Sequence, residues 1–223
     1  MNKSNNYWVN SLLFQEKLLT YVQDIFDKSN WELELKLNDF NLLGKQSIIE
    51  SSTVIGYCIE EYLTKKLNDY TINKEIKIQR LIESNKYSYD CLYENDSDVF
   101  LINIKLEKKN NNAVAAISQL ISDYEYWINK DKQVHFMVLK INYSFNKDLE
   151  NRKIVINELK SFYLEEINFA NGHLQDHRNW SSNYNANSGR LIISPSFYNK
   201  NKNKNKDSEI SYIKTFKELK QLN

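Results

Sequence analysis

The stretch SYDCLYENDSDVFLINIKLE, residues 88–107, decides how this chain is read. Two apolar-rich runs flank the polar tetrapeptide Asn95-Asp96-Ser97-Asp98, which reads as the loop of a hairpin. About that loop Glu94 faces Val99, Leu92 faces Leu101 and Asp90 faces Asn103. Directly opposed residues on one face of an antiparallel pair have Cβ atoms about 5 Å apart. Asn103 and Lys105 share a face of the second strand. The register therefore gathers a carboxylate, a carboxamide and an ammonium group into one small cluster.

Beyond the hairpin, Ala113, Ala116, Ile117, Leu120, Ile121 and Tyr124 recur at three and four, which predicts a helix over residues 113–127. Residues 134–141 form a mostly apolar run, the pattern of a central strand. Strand, strand, helix, strand predicts an α/β (α+β) fold with a mixed central β-sheet flanked by helices. Upstream, Trp8, Leu12, Leu19, Val22 and Phe26 predict an amphipathic helix over residues 8–26. Ile55, Ile59, Tyr62 and Leu63 stripe a second one over residues 47–67. Downstream, residues 168–189 turn polar and lose periodicity, as a long loop does. A short strand at 190–193 ends at Pro195, an Asn-Lys tract at 199–206 reads as a solvated loop, and residues 210–222 as a closing helix.

A length of 223 residues with 41% hydrophobic and 13% aromatic content suffices for a buried core and argues against global disorder. One proline and four glycines leave no obvious linker, so residues 1–223 are expected to form a single domain. A formal net charge of +1 argues against a nonspecific nucleic-acid coat, and any such binding must rest on local patches. Cys58 and Cys91 lack paired spacing and are expected as small buried hydrophobes, not a disulfide or zinc site. The first residues lack a signal-peptide apolar core. No window approaches the roughly 20 apolar residues of a membrane span. A soluble cytoplasmic protein is expected.

An aspartate, a second acidic position thirteen residues on, one further residue and a lysine make the PD-(D/E)XK nuclease signature. Asp90, Asn103 and Lys105 stand at that spacing. The chain resembles type II restriction endonucleases of that superfamily, and within it the EcoRV-like blunt-cutting branch, over about residues 60–190. The resemblance implies a restriction-endonuclease-like core and Mg²⁺-dependent cleavage of double-stranded DNA at a short palindrome. A palindromic target and one site per subunit call for a homodimer. Mg²⁺ prefers hard oxygen ligands, and it neutralises phosphate charge while lowering the pKa of a bound water. By resemblance, Asp90 and position 103 hold the metal and Lys105 stands beside the scissile phosphate. Glu60 on the preceding helix supports the site, with Glu61 the neighbouring alternative. Residues 1–70 would supply N-terminal helices and a candidate dimer interface, 85–145 the catalytic core and 168–206 the DNA-recognition loops.

Asn103 departs from the pattern, which has Asp or Glu there. Unit charges about 4 Å apart interact by roughly 4 kcal/mol at an effective dielectric of 20, before desolvation. An amide forfeits that attraction, so this copy should bind DNA better than it cuts it. Three readings compete: an engineered replacement of an aspartate, a natural dead or relaxed site, or charge supplied by Glu107 instead. A strand rise of about 3.3 Å per residue puts Glu107 too far along to fill the same position.

The resemblance also implies two DNA-reading segments. In the first, Lys108 and Lys109 suit phosphate contact, and Asn111 or Asn112 suits an adenine edge. The second, NYNANSGR over residues 183–190, carries Asn185, Asn187, Ser188, Gly189 and Arg190. Arg190 suits guanine, and Asn185 or Asn187 adenine. A capped, solvated loop and an Asn-Gly turn are the respective alternatives. His173 and His177 stand four apart without supporting cysteines and are given no metal role. The rival functions are a catalytically silent DNA-binding protein on the same fold and a nonspecific or repair nuclease.

Overall fold

A computed structural model describes residues 3–34, 52–82, 86–107, 113–145, 153–169, 174–176 and 189–202. Helix α1 (Lys3–Asp27) buries a stripe of Tyr7, Ser11, Phe14, Leu18, Val22 and Ile25, spaced three or four apart. Strand β1 (Glu32–Glu34) follows it. Helix α2 (Ser52–Thr71) buries Ile55, Ile59, Leu63 and Leu67. It runs past the expected end at residue 67 because Leu67 and Thr71 continue the buried stripe.

Strands β2 (Gln79–Arg80), β3 (Cys91–Glu94) and β4 (Asp98–Glu107) come next, then β5 (Ala113–Ala116) and helix α3 (Ile117–Ile128). Strands β6 (Gln133–Phe145) and β7 (Lys153–Tyr163), short strands β8 (Leu174–Asp176) and β9 (Arg190–Ile192), and helix α4 (Pro195–Asn201) complete the described chain. The main sheet has the order β1-β7-β6-β4-β3-β2. Strands β4 and β6 pair in parallel and its other neighbours pair antiparallel. The fold is thus the expected mixed central sheet flanked by helices. The hairpin keeps its expected register, with Glu94 opposite Val99 and Leu92 opposite Leu101.

Strand β4 is buried on both faces. Phe100, Ile102 and Ile104 join the core under α1 and α2. Val99 and Leu101 join a second core with Ile117, Leu120 and Trp127 of α3. Because both faces are covered, the strand reads as a near-continuous apolar run instead of an alternating one.

Several local expectations are corrected. The helix expected from residue 113 starts at Ile117, because residues 113–116 pair with β9 in a second sheet ordered β5-β9-β8. Two closely set alanines fit either period, and pairing with a strand distant in sequence decides between them. The expected long loop at 168–189 therefore contains one strand of that sheet, β8, while β9 is the short strand expected at 190–193. The Asn-Lys tract begins inside α4: Ser194 caps it by accepting from Phe197 N at 3.1 Å, Pro195 occupies its first turn, and Asn201 is buried. Strand β7, which pairs with both β6 and β1, had no sequence reading at all. Cys58 is exposed, and only Cys91 is buried. Residues 203–223, including the expected closing helix, lie outside the described residues. Among the described residues, no helix is long and apolar enough to cross a membrane.

A buried polar chain ties α1 to the sheet. Ser11 Oγ lies 2.8 Å from His135 Nδ1, and His135 Nε2 lies 2.9 Å from Asp98 Oδ1. Tyr7 and Phe100 stack on the imidazole at 4.2 and 4.3 Å. The composition is that of a hydrolase triad, but all three residues are buried, so no substrate can reach Ser11.

Burial holds His135 below its ordinary value of 6.5 although Asp98 pulls the other way. Burial alone would raise the Asp98 carboxyl, but hydrogen bonds to His135 and Ser97 leave it below 3.8. Below about pH 6.5 the unfolded chain takes up a proton that the folded His135 resists, so stability falls on acidification. The Asp98 contribution is complete above about pH 3.8 and is lost as pH falls through the lower folded value. Calorimetry from about pH 7.5 to 5 should show a falling Tm, and His135→Gln should flatten that segment. His135→Ala, which removes one hydrogen bond to the Asp98 carboxylate and leaves it Ser97, should cost about 1.5–3 kcal/mol.

Candidate active site

Asp90 stands one residue before β3. Its backbone N–H donates to Ile102 O at 2.8 Å, yet the ladder already sets Cys91 against Ile102. Two residues of one strand thus face one of its partner, which is a β-bulge, and bulges re-aim side chains. Here the bulge swings the Asp90 carboxylate to accept from Ile104 N at 2.6 Å. The expected cross-strand pair of Asp90 with Asn103 is corrected accordingly. The amide Nδ2 of Asn103 donates instead to the Ser88 carbonyl.

The bulge brings Asp90 against α2. Glu60 hydrogen-bonds to Asp90, and Lys105 acts electrostatically on both carboxylates. Burial pushes the Glu60 carboxyl up to about 8, the Asp90 charge adds to the rise, and Lys105 opposes it. Asp90 is raised as well, first by burial, with Lys105, Ile104 N and Glu60 pulling it down. Two carboxylates at contact distance do not both ionise readily, so they titrate as a pair. Glu61, the alternative to Glu60, turns away to Arg80.

Asn103 is 3% exposed, and its Oδ1 is buried without a hydrogen-bond partner. The Ser88 segment that accepts its Nδ2 is clamped from α3, where Asp123 Oδ2 takes both Ser88 N and Ser88 Oγ at 2.6 Å. The Asp90 and Glu60 carboxylates are hard oxygen donors, and the Asn103 amide oxygen, two residues before Lys105 on β4, is a further oxygen left without a partner. Among the described residues no three His, Cys, Asp or Glu side chains cluster as a metal cage. Mg²⁺ needs no such cage, since it usually takes one or two carboxylates and keeps several waters. The donors present fit that ion.

The remaining expected residues divide in two. Glu107 does not turn to Asp90 but lies 3.9 Å from Lys140. Gly189 accepts from Ile117 N at 3.1 Å, which ties the start of β9 to that of α3. Arg190, exposed at the head of β9, lies opposite Ala116 and Asp176. Lys108, Lys109, Asn111, Asn112, Asn185, Asn187 and Ser188 lie outside the described residues, as do His173 and His177. Sequence reasoning missed Ser88 and Asp123, although an aspartate among Ile117, Leu120 and Trp127 on the buried stripe of α3 was a usable signal. It also missed a pocket of about 450 Å³ lined by Tyr87, Tyr89, Tyr126 and Trp127 next to that clamp.

An aspartate at position 103 would set a carboxylate oxygen against the Ser88 carbonyl that the amide now satisfies. Asn103→Asp should therefore destabilise the metal-free protein by about 1–3 kcal/mol. Mg²⁺ should restore Tm in proportion to its binding. Thermal melts with EDTA and with Mg²⁺ test both statements, and an unchanged Tm in EDTA would count against the Ser88 contact.

No protein-family model matches the chain, and no curated protein does. Among solved structures it is similar to NlaIV restriction endonuclease, with 15% identical residues and a TM-score of 0.43. That match covers 87% of this chain and 75% of the other. A likeness so distant assigns no activity, and the chemistry has to come from the cluster itself.

Proposed function

We propose that the chain is a Mg²⁺-dependent type II restriction endonuclease that hydrolyses phosphodiester bonds of double-stranded DNA at a short palindrome. The observation that carries this reading is the convergence of Glu60, Asp90 and Lys105, from a helix and both arms of a hairpin, which sets two carboxylates under the field of one lysine. Asp90 and Asn103 would hold the metal, with Glu60 supporting the site through its hydrogen bond to Asp90. When bound, Mg²⁺ supplies neutralisation of phosphate charge and acidification of a coordinated water. The Lys105 ammonium would orient the scissile phosphate and stabilise charge developing on it. Ile104 N and Ser88 O hold Asp90 and Asn103 in place through backbone contacts.

A second reading has its own support. The amide of Asn103 fits the Ser88 carbonyl in a way that a carboxylate would not, as expected for a natural, catalytically silent DNA-binding protein on this fold. Asn103→Asp separates the two. On plasmid DNA with Mg²⁺ the endonuclease reading expects cleavage to rise, by up to about a thousandfold if most of the roughly 4 kcal/mol is recovered. Discrete fragments with blunt ends are expected, and a smear would indicate a nonspecific nuclease. Glu60→Gln, Asp90→Asn and Lys105→Ala in that background should each abolish cutting. DNA bound but left intact by Asn103→Asp would sink the endonuclease reading.

A homodimer follows from a palindromic target. Val9, Leu12 and Leu13 are 55%, 40% and 55% exposed on α1, an apolar strip suited to a second copy. Leu13→Glu should convert a dimer to a monomer in light scattering. An unchanged mass would place the dimer contact elsewhere.

A further inference from the structure

The sheet face that carries Asn103 and Lys105 continues across two more strands. The β4–β6 register sets Lys105 against Lys140, and the β6–β7 register sets Lys140 against Lys160. On that face the preceding row is Asn103, Val138 and Phe162, and the following row is Glu107, Asn142 and Glu158. Neighbouring strands lie about 4.8 Å apart, so the three lysines stand on a line about 10 Å long.

Like charges directly across a ladder destabilise a sheet. The middle position aggravates this, because Lys140 is only 8% exposed. Its accompanying carboxylate, Glu107, stands off at 3.9 Å. Lys160 is exposed and held by Glu158 at 2.7 Å. Packing does not ask for amines here, since the row before is filled by Val138 and Phe162. The Lys140 ammonium has Glu107 at 3.9 Å and the Phe162 ring centroid at 5.9 Å, neither of them a close charge-assisted hydrogen bond. A buried amine so weakly compensated, in line with a candidate catalytic lysine, calls for an anionic partner.

We propose that Lys140 and Lys160 extend Lys105 into a phosphate-binding row that contacts the DNA backbone beside the scissile phosphate; this rests on the reading of the chain as a DNA-acting protein. Neighbouring phosphates of one DNA strand rise about 3.4 Å along the axis and are further separated by their winding around it, so flexible lysines on a row about 10 Å long can reach two neighbouring phosphates. Phosphate oxygens replace the mutual repulsion of the amines with ion pairs. They also provide the charge-assisted contacts that Glu107, at its distance, does not.

The test uses the full chain, a fluorescein-labelled duplex and anisotropy over about 50–200 mM NaCl without Mg²⁺. Lys140→Met and Lys160→Met keep the stem and remove the charge. Each should make the slope of log affinity against log salt shallower by about 0.9, which narrows the affinity lost over that range by about 3.5-fold. The Tm of Lys140→Met should not fall. Lys17→Met, on α1 and paired with Glu75, should keep the wild-type slope. Wild type that binds while both variants retain its slope overturns the row. A slope change that comes only with a lowered Tm also overturns it, because that marks a structural role. Wild type that binds no duplex at about 50 mM salt overturns the DNA reading itself, and the row with it.

Discussion

A strand covered on both faces leaves its polar groups no water, and β4 is such a strand. Leaving a buried polar group unmatched costs on the order of 1–3 kcal/mol, so the buried polar groups of β4 turn to partners within the protein, the Asn103 amide oxygen excepted. Asp98 finds His135, which finds Ser11 on α1. The Asn103 amide finds the Ser88 carbonyl, and Ile104 N finds the Asp90 carboxylate. One burial constraint thus docks the first helix at one end of the strand and aims the candidate catalytic groups at the other.

The bulge at Asp90 shows how a fold can turn that constraint to chemical use. The residue just before β3 leaves the ladder, and the aspartate side chain there takes the backbone donor of Ile104. The same displacement carries the carboxylate to Glu60 on α2, which continuous pairing would have kept apart. Raised carboxyl groups, an orphaned amide oxygen and a line of lysines all lie within a few residues of this point. Each opposes stability, and groups that oppose stability collect where ligands supply the missing interaction.

Much of this was legible locally. The hairpin register followed from apolar runs about a polar tetrapeptide, because the loop and its flanks are neighbours in sequence. The stripe of α2 followed from periodicity for the same reason. On α1 the expected stripe is corrected: Trp8, Val22 and Phe26 are buried but Leu12 is 40% exposed, because Tyr7, Phe14 and Leu18 face the sheet instead. The limits were equally physical. Glu60 and Glu61 are indistinguishable by pattern, and only the angle of about 100° between successive helical residues sends one to Asp90 and the other to Arg80. The alanines at 113–116 and the ends of β7 depended on strands far away in sequence. Asp123 was visible as a polar residue on an apolar stripe, but its partner Ser88 lies 35 residues upstream.

By itself, then, the sequence determined the two N-terminal helices, the hairpin, the central strand at 134–141 and the identity of the charged groups, since these depend on spacing over a few residues. Tertiary structure decided which carboxylates meet, where the bulge falls, that the Ser11–His135–Asp98 chain is walled off from solvent, and that three lysines distant in sequence stand in one row. Those outcomes depend on the register between strands and on burial from both sides. Neither is a property of any single segment of the chain.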